Sequence, residues 1–276
     1  MDLTGFSFVA GGGSGISRAV CKAFAGSGVQ GLLIADINLD AATQTGLECA
    51  KVAKNPNFRV EAVEMDVVQP SSVENAMDMM IQMFGRVDYC VNGAGVLGEH
   101  SDVTELNLEA FRKTIDVNTQ GTFLVTRAAS TVMATQTPIV LDPALPSRGV
   151  SRGSIVNIAS IASYITLPKA LPYVTSKHAV LGLTKASASD NVKHSIRVNC
   201  VSPSWVDTPM IRGIIDQHPP FEQFITSQIP MGRMGLPEEI ADVIVFLCSP
   251  KSSWINGANI VVDGAMTIGV YSSNPP

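Results

Sequence analysis

No apolar run in the sequence approaches the roughly 18 residues needed to cross a bilayer, so a membrane-spanning helix is not expected. There is no basic stripe either: 19 Lys and Arg stand against 24 Asp and Glu, a formal net charge of −5. Phosphate backbones and anionic membranes are gripped by clustered cations, so neither nucleic acid nor a membrane is expected as a partner. No Gly/Ser tract, Pro tract or charge block separates two halves. The 276 residues therefore read as one domain, 1–276, as α/β chains of this size commonly are. The five cysteines (Cys21, Cys49, Cys90, Cys200 and Cys248) are odd in number, scattered and without ligand spacing. They fit buried apolar side chains in a reducing compartment better than a disulfide framework. His100, His178, His194 and His218 share no metal-ligand spacing, and no metal is expected. The start, MDLTGFSFVAGGG, lacks the basic region and apolar core of a secretory leader. The expected location is the cytoplasm.

What the chain does have is alternation. Phe6–Ala10 reads as a strand leading into GGGSGIS and then a helix. Gly11, Gly12, Gly13 and Gly15 permit close backbone approach, and a helix beginning near Gly15 offers free N–H groups and a positive dipole end to a pyrophosphate. The next strand, 31–35, ends at Asp36, about twenty residues beyond the turn. That carboxylate fits hydrogen bonding to adenosine ribose hydroxyls, and it equally fits a turn or cap before INLDAA; Asp40 is the cap expected for the helix that follows. Strand 59–64 leads to Asp66 and Val67, and helix 71–84 carries Met77, Met79, Met80 and Met83 as packing residues. A strand then ends at Asn92, before Gly93, Ala94 and Gly95. Strand and helix in turn predict a parallel sheet with right-handed crossovers.

In the second half, helix 106–117 ends near Asn118, whose chemistry suits a C-terminal cap. Helix 121–134 follows. Residues 135–153 hold three prolines and no period, and read as an extended loop. SIVNIA reads as a strand that delivers Ser160 to its C-terminal end, where ligands bind in open α/β sheets. Tyr173 and Lys177 lie four apart in helix 172–192, on one face. A free tyrosine titrates near about 10, and a neighbouring ammonium is expected to lower that by about 1–3, tuning Tyr173 for proton transfer. Strand 197–201, helix 237–247 and strand 260–262 complete the pattern. The tail, TIGVYSSNPP, carries no motif.

Taken together, GGGSGIS, Asp36, Asp66, NGAG, Asn118, Ser160, Tyr173 with Lys177, and VSPSWVDTP resemble the classical short-chain dehydrogenase/reductase family, in particular its fungal secondary-metabolism members. The resemblance runs from Leu3 to about Ala265. It implies a Rossmann-type, doubly wound α/β fold with a parallel sheet of about seven strands and helices on both faces. It also implies an oxidoreductase that moves hydride between a nicotinamide dinucleotide and a carbonyl or secondary alcohol. On that reading Tyr173 is the acid–base group, Ser160 polarises the substrate oxygen, Lys177 tunes Tyr173 and holds the nicotinamide ribose, and Asn118 completes a proton relay. The cofactor-binding set implied is Gly11, Gly13, Ser14, Gly15, Ile16, Asp36, Ile37, Asp66, Val67, Asn92, Gly93, Ala94, Asn118, Tyr173, Lys177, Pro203, Val206 and Thr208.

Asp36 would repel a 2′-phosphate, no Lys or Arg lies in INLDAA, Ser14 occupies a turn position often basic in NADP users, and Arg18 points along its helix. NAD(H) is therefore the expected cofactor. The substrate wall implied by the resemblance is Val96, Leu97, Tyr164, Leu167, Trp205, Met210, Ile211 and Ile214. That wall is apolar and free of Arg and Lys, which suits a bulky, neutral, polycyclic or terpenoid-like ketone or alcohol. Residues 208–231, broken at Pro219–Pro220, would be its lid. Two departures, Ser17 for the third turn glycine and Ser204 after Pro203, are the support for a rival reading: a non-redox isomerase or cyclase, or a dinucleotide-binding scaffold. Apolar faces on helices 121–134 and 172–192 suggest a homotetramer or dimer.

Overall fold

The computed structural model describes residues 3–269. The expectations touching residues 1–2 and 270–276, the leaderless start and the end of the tail, fall outside the described residues. The chain opens with β1 (Phe6–Ala10), α1 (Gly15–Ser27), β2 (Gly31–Asp36), α2 (Leu39–Val52), β3 (Arg59–Glu64), α3 (Pro70–Phe84) and β4 (Tyr89–Asn92). It continues with α4 (Leu108–Ile115), α5 (Thr122–Thr135), β5 (Ile139–Val140), β6 (Val150–Ser151), β7 (Gly153–Ile158) and α6 (Leu171–Asn191). It closes with β8 (Ile196–Pro203), α7 (Pro209–Gln217), α8 (Pro220–Gln228), α9 (Pro237–Cys248) and β9 (Asn259–Val262).

Seven strands form one parallel sheet in the order β3-β2-β1-β4-β7-β8-β9. The chain starts in the middle, winds outward to β3, then returns to the other side of β1. Between β1 and β4 the crossovers part company, and a crevice opens beyond the strands' C-terminal ends. Apolar layers cover both faces. Val20 and Phe24 of α1 meet Ile240, Ile244 and Leu247 of α9 on one side. Met77 and Met80 of α3 meet Leu124 and Met133 of α5 on the other, so these methionines pack as expected. Burial on both faces explains why β8 is buried along its whole length.

Two sequence expectations are corrected. Asn38, not Asp40, caps α2: its Oδ1 accepts from Ala41 N at 3.0 Å. Both residues offer a suitable acceptor, and the cap goes to the one preceding the first helical turn. Asn118 does not end a helix. It lies in a π-turn, Asp116–Gly121, that joins α4 to α5 without a break. Within the 135–153 segment, Ile139–Val140 pairs antiparallel with Val150–Ser151. Two-residue strands are too short to leave a period in the sequence.

All five cysteines are free and buried. Burial pushes the Cys200 thiol up to about 11 and those of Cys49 and Cys248 up to about 12, and raises Cys21 and Cys90 as well, from an ordinary value of 9.0. Above pH 9 the unfolded chain releases these protons while the folded one keeps them, so stability is full below that pH and falls above it. Urea midpoints should decline steadily from pH 9 to 11, and Cys248→Ala should flatten the decline. A midpoint independent of pH across that window would contradict the buried-thiol account.

Candidate active site

A cleft of about 440 Å³ opens at the crevice between β1 and β4. Its floor is the glycine-rich turn. Gly11 has φ +73°, and a Cβ there would lie 2.6 Å from Ala94 N; Gly15 has φ +55°. Only glycine lets these two turns approach so closely. Ser14 precedes α1 and makes no side-chain cap bond, so it takes none of the first-turn N–H groups. Those amides and the helix dipole suit a pyrophosphate. Ser17 is buried, and a Cβ at Gly93 would collide with its hydroxyl. The serine is accommodated because residue 93 has no side chain.

Asp36 ends β2 in the cleft wall. Its Oδ2 accepts from Gly13 N at 2.8 Å and its Oδ1 from Asn38 N at 2.9 Å. It thus does act as a turn residue while still presenting a carboxylate to the cleft. Arg18 is engaged by an ion pair with Glu48. Ile16, Ile37, Asp66, Val67, Gly93 and Ala94 line the same half. Gly13 lies behind the wall against Asp36. Asn92 is buried under it, donating to Thr126 at 3.0 Å and to Asn157 at 2.7 Å.

At the other end of the cleft lie Ser160, Tyr173 and Lys177, together with Pro203, Val206 and Thr208. The spacing argument holds: α6 presents Tyr173 and Lys177 side by side, with Nζ 5.6 Å from the ring centroid. The Lys177 ammonium donates to the Ile158 carbonyl at 2.8 Å. Burial lowers it from 10.5 to about 8. The expected lowering of Tyr173 is not found. Burial raises its phenol, and only the hydrogen bond with Ser160 pulls it back. Desolvation of a neutral acid outweighs an ammonium that is itself desolvated and turned to a carbonyl.

Asn118 stands behind this end. Its Oδ1 accepts from Val96 N at 2.8 Å, and its Nδ2 donates to Val96 O at 2.8 Å and to Ser176 Oγ at 3.0 Å. Its own carbonyl accepts from Thr122 Oγ1 at 2.7 Å. Val96, Leu97, Leu167, Trp205, Met210 and Ile211 line the wall around Tyr173. Tyr164 does not: its hydroxyl pairs with Thr267 at 3.2 Å, and neither it nor Ile214 is among the lining residues. Lys113, absent from the expected set, is present in the wall, as is Val117. No sequence signal marked Lys113 as a cleft residue. Apart from Lys113 and Lys177, no Lys or Arg lines the cleft among the described residues.

Comparison with known proteins agrees with this geometry. A family model described as enoyl-(acyl carrier protein) reductase matches residues 10–267. The chain is 47% identical over 273 residues to the short-chain dehydrogenase fogB of Aspergillus ruber, covering 99% of this chain and 100% of that one. It is 34% identical over 262 residues to a cyclohexanol dehydrogenase of Acinetobacter sp., covering 95% and 94%. A short-chain type dehydrogenase/reductase from Mycobacterium marinum superposes with a TM-score of 0.84 at 32% identity, covering 97% and 98%.

Lys177 gives a pH test. Its folded value of about 8 lies below 10.5, so the stability it permits is present above pH 10.5 and is lost as pH falls to 8. Relative to Lys177→Met, which has no such titration, the wild type should gain on the order of 1–3 kcal/mol between those limits. Urea unfolding of both proteins at each pH measures it. A difference that stays flat would mean that the ammonium is not desolvated.

Proposed function

The chain belongs to the short-chain dehydrogenase/reductase family, and from that premise we propose an NAD(H)-dependent enzyme that interconverts a ketone and a secondary alcohol on a bulky, largely neutral substrate. The observation that carries the reading is the convergence of Ser160, Tyr173 and Lys177 on one end of a cleft whose other end is a glycine-rich helix start. The bound nicotinamide ring supplies or accepts the hydride. The glycine turn and the first turn of α1 would hold its pyrophosphate, Asp36 its adenosine ribose, and Lys177 its nicotinamide ribose. Ser160 would donate a hydrogen bond to the substrate oxygen, and Tyr173 would exchange a proton with it. Because burial keeps Tyr173 protonated at neutral pH, the protein is set as a proton donor. That favours reduction near neutrality, with oxidation improving as pH rises.

NAD(H) is preferred over NADP(H) on two grounds. Asp36 faces the site of a 2′-phosphate, and Arg18 is held by Glu48. NADH should be favoured by at least about tenfold, or roughly 1.4 kcal/mol. Tyr173→Phe should lower turnover by at least about a hundredfold while NADH affinity stays nearly unchanged. Equal efficiencies with both cofactors would remove the first claim. An active Tyr173→Phe variant would remove the second.

The substrate class follows from the wall. Val96, Leu97, Leu167, Trp205, Met210 and Ile211 offer apolar surface, and a charged metabolite placed there would lose hydration without a partner. A polycyclic or terpenoid-like ring ketone of secondary metabolism suits it, and the cyclohexanol dehydrogenase relative acts on a ring alcohol by name. Residues 208–231 would cover it. The exposed Trp254 and the open edge at β9 suit a homotetramer or dimer. In direct kinetic competition a polycyclic secondary alcohol should outcompete a short hydroxy acid; preference for the acid would sink the assignment.

A further inference from the structure

The segment that follows β8 is built as a separate body. Ile211, Ile215, Ile225, Ile229 and Met234 form an apolar cluster of their own, apart from the two layers flanking the sheet. Leu97, Trp205 and Met266 pack against it from outside the segment. A polar attachment accompanies this packing and can be traced atom by atom. Asp207 N donates to Gly235 O at 2.9 Å and Gly235 N donates to Trp205 O at 2.9 Å, joining the turn after β8 to the segment before α9. Arg212 then grips the Asp207 carboxylate with both sides of its fork, Nε to Oδ1 at 2.6 Å and Nη2 to Oδ2 at 2.7 Å. Its remaining arm, Nη1, reaches Glu222 Oε1 on α8 at 2.7 Å. Arg212 N also donates to the Thr208 carbonyl at 2.8 Å. One guanidinium thus joins the turn whose Thr208 lines the cleft to α8, whose Phe221 packs on the lining Trp205.

Resting on the functional reading above, we propose that Arg212 is a positioning residue that couples α8 to the cleft wall: it fixes the Asp207–Thr208 turn and carries α8 with it. The two attachments differ in strength. The fork on Asp207 is bidentate and local, whereas Glu222 is held by a single contact with its side chain 44% exposed. The Glu222 arm is the one that parts when α8 moves, and the Asp207 arm stays. A lysine cannot replace this residue, because an ammonium lacks the planar fork that meets both carboxylates at once.

The chain supplies its own reporter. Trp205 lies in the turn and packs edge-on against Phe221 of α8, with centroids 5.6 Å apart at 88°. The only other tryptophan is Trp254, which is 99% exposed. In a Trp254→Phe background, acrylamide quenching of Trp205 reads the seating of α8 on the turn. Glu222→Gln and Arg212→Lys should each raise the quenching constant about twofold, as loss of one ion pair allows. NADH titration divides the roles further. Glu222→Gln should bind NADH within about twofold of the parent, and Arg212→Gln should bind about fivefold or more weakly. A merely structural role would lower the melting temperature in both variants without separating them in this way. Unchanged quenching in Glu222→Gln and Arg212→Lys, or unchanged NADH affinity in Arg212→Gln, overturns the proposal. If the parent itself binds neither NADH nor NADPH, the dinucleotide reading fails, while the quenching result still decides whether Arg212 seats α8.

Discussion

The site depends on one side-chain amide. Asn118 offers Val96 both an acceptor and a donor, each at 2.8 Å, the pairing a neighbouring strand would otherwise provide. Val96 lies beyond the end of β4, and without that amide its backbone groups would lose these two partners. The same Nδ2 reaches Ser176 Oγ on α6, and Ser176 in turn donates to the Tyr173 carbonyl at 2.8 Å. The wall at Val96, the bend between α4 and α5, and the helix bearing Tyr173 and Lys177 are therefore one hydrogen-bonded unit. The π-turn at 116–121 is what aims Asn118 sideways, and an interruption of this kind inside a helix is frequent where function requires it.

Burial dominates the chemistry of that unit. Tyr173 and Lys177 share an apolar wall, and desolvation moves each toward its neutral form, the phenol upward and the ammonium downward. The Ile158 carbonyl at 2.8 Å gives the ammonium a partner at the end of β7. The sheet itself, through the last residue of a strand, thus holds the cation beside the tyrosine.

What could be read in the sequence was what local spacing determines. The glycine turn, Asp36 after the second strand, and the Tyr173–Lys177 pair need only the geometry of one turn or one helix. Pro219–Pro220 marked the break between α7 and α8 for the same reason. What could not be read depends on distant partners. The π-turn requires Val96, 22 residues away from Asn118. Tyr164 leaves the wall for Thr267, 103 residues on. The direction of the Tyr173 shift needs the wall that buries it. Lys113 enters the cleft lining only through the tertiary placement of α4.

The strand order has a consequence for how the chain acquires its shape. β1 gains its second neighbour only when Ser7 meets Tyr89, and β4 gains its own when Tyr89 meets Ser154. These are pairings of high sequence separation, whose loop-closure entropy must be met before the contacts form, so such sheets assemble slowly. A nascent chain that has emerged only as far as β4 can already stack its first four strands, yet it leaves the edge Tyr89–Asn92 bare and apolar. Until β7 arrives, that edge is open to another chain in the same condition.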